Sequence, residues 1–338
     1  MTATYRAVML KRKGGPDVLE PVELPVEAPG PGQLRVRITA AGVGSTDLLM
    51  VAGEYLYAPP MPYVPGYEVA GIVDAIGTGV SGFSAGQRVA ALVIYGGYGE
   101  LLVRDAEHFL PIPDDVTDVE AAAVVLNYVT AWQMIHRVAK MRAGQTALVT
   151  GAAGGVGTAL LQLLQLAGVK AYGAASARKH DTVRKLGAIP VDYRAAPLHL
   201  SVRRLEPAGV DAVFDAVGGA NTRLCIRAVR RGGLVVGYGF LAVAGKIATL
   251  AMFATLFAGS RLRGRRGTFY GITFLYRRDP RPLREDLSKI FGLIGAKKID
   301  PLVSATFPLL DARKAIELLA SGNVEGKIVL TNHDGPGR

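Results

Sequence analysis

One stretch, TALVTGAAGGVGTALLQLLQLAGVKAYGAAS from Thr146 to Ser176, constrains the fold more than any other part of the chain. The apolar, β-branched run Thr146 to Thr150 enters a turn of small residues, Gly151 to Gly157. Apolar residues at helical spacing follow from Thr158 to Ala167, and a second strand-like run starts at Val169. The order predicts strand, glycine turn, helix and strand. Glycines let backbone N–H groups approach a phosphate, and the positive end of a helix favours its charge. The segment therefore predicts a cradle for a dinucleotide pyrophosphate.

The flanking sequence supports that architecture. Beyond the turn, ARKHDTVRKLG reads as a helix closed by glycine, and IPVDY, GVDAVFDAVG and LVVGYGF read as strands. Such alternation implies a parallel, doubly wound sheet. Residues 1–120 have another character: TYRAVML, QLRVRITAAGV, VAGIVDAIG, QRVAALVI and GELLVR are short strand-like runs between Pro/Gly turns. They predict a barrel-like β domain. From Asp118, DVEAAAVVLNYVTAWQMIHRVA has helical spacing, with Asp118 as N-cap and Glu120 in the first turn. The tail from Pro301 reads strand, helix, strand and returns to the first domain. The expected class is α/β, with a β-rich domain of residues 1–124 and 270–338 and a Rossmann domain of residues 125–269.

Composition narrows the chemistry. The single cysteine, Cys225, excludes an intrachain disulfide and a cysteine-built zinc site, and is read as a small buried residue in a reducing cytoplasm. The net charge of +11 is mostly scattered, and its main cluster, SRLRGRR from Ser260 to Arg266, lacks any nucleic-acid module around it. It is read as a solvated basic loop, with no nucleic-acid partner. The N-terminal residues lack the apolar core of a signal peptide. From Leu241 to Gly259 only Lys246 interrupts a nearly apolar run, with arginines just beyond. A membrane span there would split the fold. The run is read as a helix over the active-site cleft or at a dimer interface, with peripheral membrane contact as the alternative. The five histidines, 108, 136, 180, 199 and 333, fall outside every motif and are read as structural or surface residues.

The order of β domain, GAAGGVG unit and C-terminal strand-helix-strand resembles the medium-chain dehydrogenase/reductase superfamily, and within it the zinc-free quinone oxidoreductases of the zeta-crystallin group. PYVPGYEVAGIVDAIGTGVSGFSAGQRVAAL (Pro62 to Leu92), NYVTAWQM (Asn127 to Met134) and NVEGKIVL (Asn323 to Leu330) carry the resemblance. LNYVTAW and ASARKH look most like the synaptic-vesicle membrane oxidoreductase branch. The resemblance implies a GroES-like β domain, a homodimer and hydride transfer to a quinone or α,β-unsaturated carbonyl. A non-catalytic NADPH-binding protein with a lipid- or partner-binding apolar surface is the alternative.

The departures are specific. Zinc-dependent relatives have a cysteine where this chain reads GVGSTD, Gly42 to Asp47, and a histidine where it has Tyr67 in Pro65-Gly66-Tyr67-Glu68. Three or four N, S or O ligands cannot be assembled from this set, so no metal is expected and Glu68 is read as structural. Gly44 and Val51 replace the family's asparagine and arginine. Tyr55 matches a family tyrosine and either lines the substrate cleft or packs as an aromatic; Tyr55, Tyr67 and solvent are the candidate proton donors.

At the end of the second Rossmann strand an NAD enzyme carries Asp or Glu. Here the residues are Ser176, Ala177, Arg178 and Lys179, which suit the charge of a 2′-phosphate. The expected cofactor is NADPH. The resemblance assigns Ser176, Lys179 and Tyr193 to the 2′-phosphate end and Gly154, Gly155 and Val156 to the pyrophosphate. It places Gly237, Tyr238, Phe269, Tyr270 and Gly271 at the nicotinamide. Asn127 and Thr130 are either nicotinamide contacts or helix surface polarity.

Overall fold

The five predicted Rossmann strands and a sixth, Arg266–Phe269, that the pattern does not single out pair into one parallel sheet, whose central strands are buried on both faces while Ile189–Asp192 and Arg266–Phe269 lie at its more exposed edges. They are β1 (Thr146–Thr150), β2 (Lys170–Ala175), β3 (Ile189–Asp192), β4 (Val210–Asp215), β5 (Val229–Gly237) and β6 (Arg266–Phe269). Their spatial order is β3-β2-β1-β4-β5-β6, every pairing parallel. The order reverses between β1 and β4, which is the ligand-binding switch point of a doubly wound sheet. Leu148, Val213 and Val235 form the central core with Tyr172, Cys225 and Leu256.

The structure is a computed structural model and describes residues 3–332 apart from 242 and 244. His333 lies outside the described residues. The chain divides into two compact units, 1–129 with 273–338, and 130–272. The sequence pattern puts the joins at 124/125 and 269/270.

The first unit is the β domain. The long strand Gln33–Val43 is its spine and pairs antiparallel with Glu68–Ile76, Leu101–Asp105 and the C-terminal strand Lys327–Thr331. Arg88–Leu92 and Phe109–Pro111 extend one side, and Val303–Pro308 extends the other. Thr4–Leu10 and Leu19–Pro25 form a separate two-stranded ribbon. The tail thus returns to the first domain, as its pattern predicts.

One local expectation is corrected. The helix Asp118–Trp132 is capped by Thr117, not Asp118. Thr117 Oγ1 accepts from Glu120 N–H at 3.2 Å, and the Glu120 carboxylate accepts from Thr117 N–H at 2.8 Å, a reciprocal capping box. Asp118 instead pairs with Arg88 at 2.6 Å. The helical pattern continues to Ala139, but the last turn, Gln133–Ala139, widens into a π-helix.

Candidate functional site

In the Rossmann domain the switch point is built from strand ends. Gly151, at φ 62°, turns the chain after β1, and the helix Gly155–Leu166 begins behind Gly154 with no side-chain cap. The first N–H groups of a helix have no intrahelical acceptor, so those of Gly155, Val156 and Gly157 remain for a ligand. A Cβ on Gly157 would collide with the Gly151 carbonyl and the Ala152 backbone, so only glycine permits this close turn.

Asp215, at the end of β4, fixes the neighbouring strand end. Its buried carboxylate accepts from Thr150 Oγ1 at 3.0 Å, Asn221 Nδ2 at 2.8 Å and Thr222 Oγ1 at 2.9 Å. Sequence reasoning missed it. The only signal is an aspartate ending an apolar strand before Gly218-Gly219.

The predicted contacts fall at the carboxyl ends of the parallel strands, on one edge of the sheet. Ser176 is buried just after β2, where its carbonyl accepts from Lys179 N–H at 2.8 Å. Lys179 is half-buried, and Tyr193 is exposed beneath the Arg194 guanidinium, 5.6 Å from its ring centre. Gly237 ends β5 beside the Phe269 ring. Tyr270 N–H donates to Gly237 O at 2.8 Å, and the Tyr270 hydroxyl donates to Gln133 Oε1 at 2.8 Å. Gly271 follows at the end of this segment, half-buried.

Two hydroxyls test whether a nicotinamide cofactor fits. Thr130 Oγ1 and Tyr238 OH are buried with no hydrogen-bond partner. Burial, with the Asp215 charge second, pushes the Tyr238 phenol well up, so it stays protonated. Orphaned buried polar atoms are costly and call for an unseen partner. Asn127 and Thr130 are both buried, which overturns the surface-polarity reading of these residues. The residues present fit the group.

The β domain presents a different cluster. The Tyr55 hydroxyl lies 3.0 Å from the Tyr67 hydroxyl and 2.6 Å from Thr273 Oγ1, and Tyr67 and Thr273 are also hydrogen-bonded. The hydroxyls carry three protons. Three mutual contacts take up all three protons when they close a ring, and opening one contact frees one proton for an outside acceptor. Tyr67 and Thr273 are buried, while Tyr55 is partly exposed, so Tyr55 is the outlet. Burial raises the phenol pKa of both tyrosines, keeping them neutral donors. Thr273 was missed because it lies 218 residues from Tyr55.

Glu68 is engaged elsewhere. Its carboxylate is ion-paired with Lys327 and accepts from Leu126 N–H at 2.5 Å. Asp47 lies buried near both, accepting from Gly44 N–H at 2.8 Å. Burial raises its pKa to about 6, partly offset by that hydrogen bond and by Lys327. A Cβ on Gly42 would overlap the Glu68 side chain. Three histidines bear structural contacts: His108 Nδ1 with the Tyr276 hydroxyl at 2.5 Å, His136 against Trp132, and His180 Nε2 with Ala175 O at 3.2 Å.

The apolar run folds as a helix, Gly245–Ala254, continuing into the π-helical turn Thr255–Gly259. Met252 and Leu256 are buried, but Ile247 and Leu250 are 87% and 71% exposed. Among the described residues no helix is long and apolar enough to cross a membrane.

Known proteins share this design. The alcohol dehydrogenase GroES-like domain model matches residues 30–114, and the zinc-binding dehydrogenase model matches residues 186–330. The human synaptic vesicle membrane protein VAT-1 homolog-like is 31% identical over 96% of this chain and 80% of its own length. The 2-haloacrylate reductase of Burkholderia sp is 30% identical over 96% of this chain and 98% of its own. The Escherichia coli quinone oxidoreductase complexed with NADPH superposes with a TM-score of 0.85 at 26% identity, covering 96% of this chain and 99% of that one. The chain belongs to the medium-chain dehydrogenase/reductase superfamily, in its zinc-free quinone oxidoreductase group near the VAT-1 homologues.

Proposed function

We propose that this protein is a zinc-independent, NADPH-dependent reductase of a quinone or an α,β-unsaturated carbonyl. The observation that carries the reading is the hydroxyl cluster of Tyr55, Tyr67 and Thr273, built on the position where zinc-dependent relatives hold a ligand histidine. A neutral donor takes over the electrophile's task of stabilising oxygen charge. NADPH, when bound, supplies the hydride. The Gly155, Val156 and Gly157 N–H groups bind the pyrophosphate, and Ser176, Lys179 and Tyr193 bind the 2′-phosphate. Thr130 and Tyr238, with Asn127, orient the nicotinamide.

On the acceptor side, Tyr55 OH donates to the carbonyl oxygen. Thr273 and Tyr67 hold that hydroxyl in place, and solvent restores any proton that leaves. No metal takes part, because Glu68 is committed to Lys327 and the cysteine and histidine ligands are absent. The names of the quinone oxidoreductase and 2-haloacrylate reductase relatives support an electrophilic alkene or quinone acceptor. We take the working form to be a cytoplasmic homodimer.

The test is NADPH oxidation by the purified protein against a panel of quinones and enones, with zinc content measured alongside. Turnover on one acceptor class without stoichiometric zinc supports the reading. A zinc-dependent activity overturns it.

The exposed Ile247 and Leu250, with Leu262 at 84% exposure among Arg261 and Arg263, favour a second reading. In it the protein binds NADPH without turnover and uses this face for a lipid surface. NADPH binding with no activity on any acceptor, together with co-sedimentation on anionic liposomes, would favour it.

A further inference from the structure

The β domain contains a cavity of about 190 Å³ that the proposed reaction does not use. Its walls include the rings of Tyr5, Tyr63 and Tyr95, and Arg104 stands at its side. The Arg104 guanidinium lies over the Tyr95 ring, 4.6 Å from its centre. It donates to the carbonyls of Val103 and Tyr95, each at 2.9 Å. Among the described residues no carboxylate lies within ion-pair distance of it. A guanidinium has about five N–H donors, so roughly three remain uncommitted here.

The other charges at the cavity are accounted for. Arg35 is paired with Asp74 at 2.5 Å and donates to the Glu27 carbonyl at 3.1 Å. The Glu27 side chain is exposed, where water screens it. Arg104 is therefore the half-buried cation without a carboxylate partner in a chamber lined by three tyrosines, Leu101 and Leu102, with the paired Arg35 and the exposed Glu27 also in its lining. Arginine stacked on an aromatic ring is preorganised to hold a planar oxyanion. Burial lowers the Arg104 pKa, and a bound anion would relieve that cost.

We infer that this cavity is a binding site for a small aromatic monocarboxylate, with the carboxylate on Arg104 and the ring against the tyrosines. A dianion such as phosphate suits it less, because one arginine cannot neutralise two charges in aromatic surroundings.

The probe is benzoate, titrated into the full-length protein by calorimetry and by NMR of the Arg104 side chain, with benzamide and inorganic phosphate as comparisons. Saturable benzoate binding is expected, with little response to benzamide or phosphate. Arg104→Gln should weaken benzoate about tenfold or more, the worth of a charge-assisted bidentate bond. Leu101→Trp keeps the arginine but fills the cavity, and should abolish binding. Benzoate binding that survives in both variants lies elsewhere and overturns the inference, as does an absence of binding in the parent protein. Phosphate binding as tightly as benzoate overturns the assigned ligand class. None of these readouts requires cofactor or turnover, so they stand or fall apart from the reductase reading.

Discussion

Lys327, on the last strand, forms an ion pair with Glu68 inside the β domain, the two side chains being 4% and 0% exposed. Removing one partner leaves a charge in a low-dielectric interior. Lys327→Met should cost about 3–5 kcal/mol of stability by urea unfolding. The double variant Glu68→Gln/Lys327→Met should recover part of that loss, since glutamine is neutral and still accepts from Leu126 N–H. A double variant no more stable than Lys327→Met would refute the coupling.

Asp47 gives a pH prediction. Its folded-state pKa is raised to about 6 from an ordinary value of 3.8, burial being the main cause. The protonated form is favoured by folding, so its contribution is fully present below the unfolded pKa and is lost as pH rises through 6. A shift of this size corresponds to roughly 3 kcal/mol. Thermal denaturation between pH 4 and pH 7 should show the parent protein losing stability relative to Asp47→Asn as pH rises. A difference between the two that stays constant across this range would contradict the burial account.

The hydroxyl cluster predicts a split in kinetics. Tyr55→Phe should lower kcat about a hundredfold with a smaller change in KM, as for removal of a donor to a developing oxyanion. Thr273→Val should lower kcat less, because it only positions the Tyr55 hydroxyl. Since burial raises the Tyr55 pKa, the parent protein should show no loss of rate from tyrosine ionisation up to about pH 9. Equal kcat values for all three proteins would remove Tyr55 from the mechanism.

Cofactor choice rests on the end of β2. Lys179→Glu should weaken NADPH about tenfold or more and leave NADH nearly unchanged, because the new carboxylate repels only the 2′-phosphate. Fluorescence titration with both dinucleotides measures it. Parallel weakening of both would show that Lys179 is not the discriminating residue.

Gly157→Ala tests the cradle itself. The added methyl meets the Gly151 carbonyl and the Ala152 backbone, neither of which is a flexible side-chain end. NADPH binding should fall below detection while the circular dichroism spectrum stays folded. Undiminished NADPH affinity would place the pyrophosphate elsewhere.

The sequence reveals local features more readily than distant ones. TALVTGAAGGVG announces its turn because the glycine requirement and the strand period are properties of adjacent residues. The β-domain strands are legible for the same reason: Gln33–Val43 and Glu68–Ile76 follow runs named from pattern alone. Thr273 and Lys327 are ordinary residues in sequence and gain meaning only from partners 218 and 259 positions away. The Asp118 cap was misassigned because two adjacent residues can both cap, and Arg88, 30 positions upstream, engages one of them.

The Glu68–Lys327 pair also has a consequence for redesign. Placing histidine at position 67 would not by itself create a metal site. Glu68 would still be held by an ammonium group from the far end of the chain, in the space that the missing side chain of Gly42 leaves for it. The final strand therefore acts as a clasp on this interior, and freeing the carboxylate takes a change 259 positions away from it.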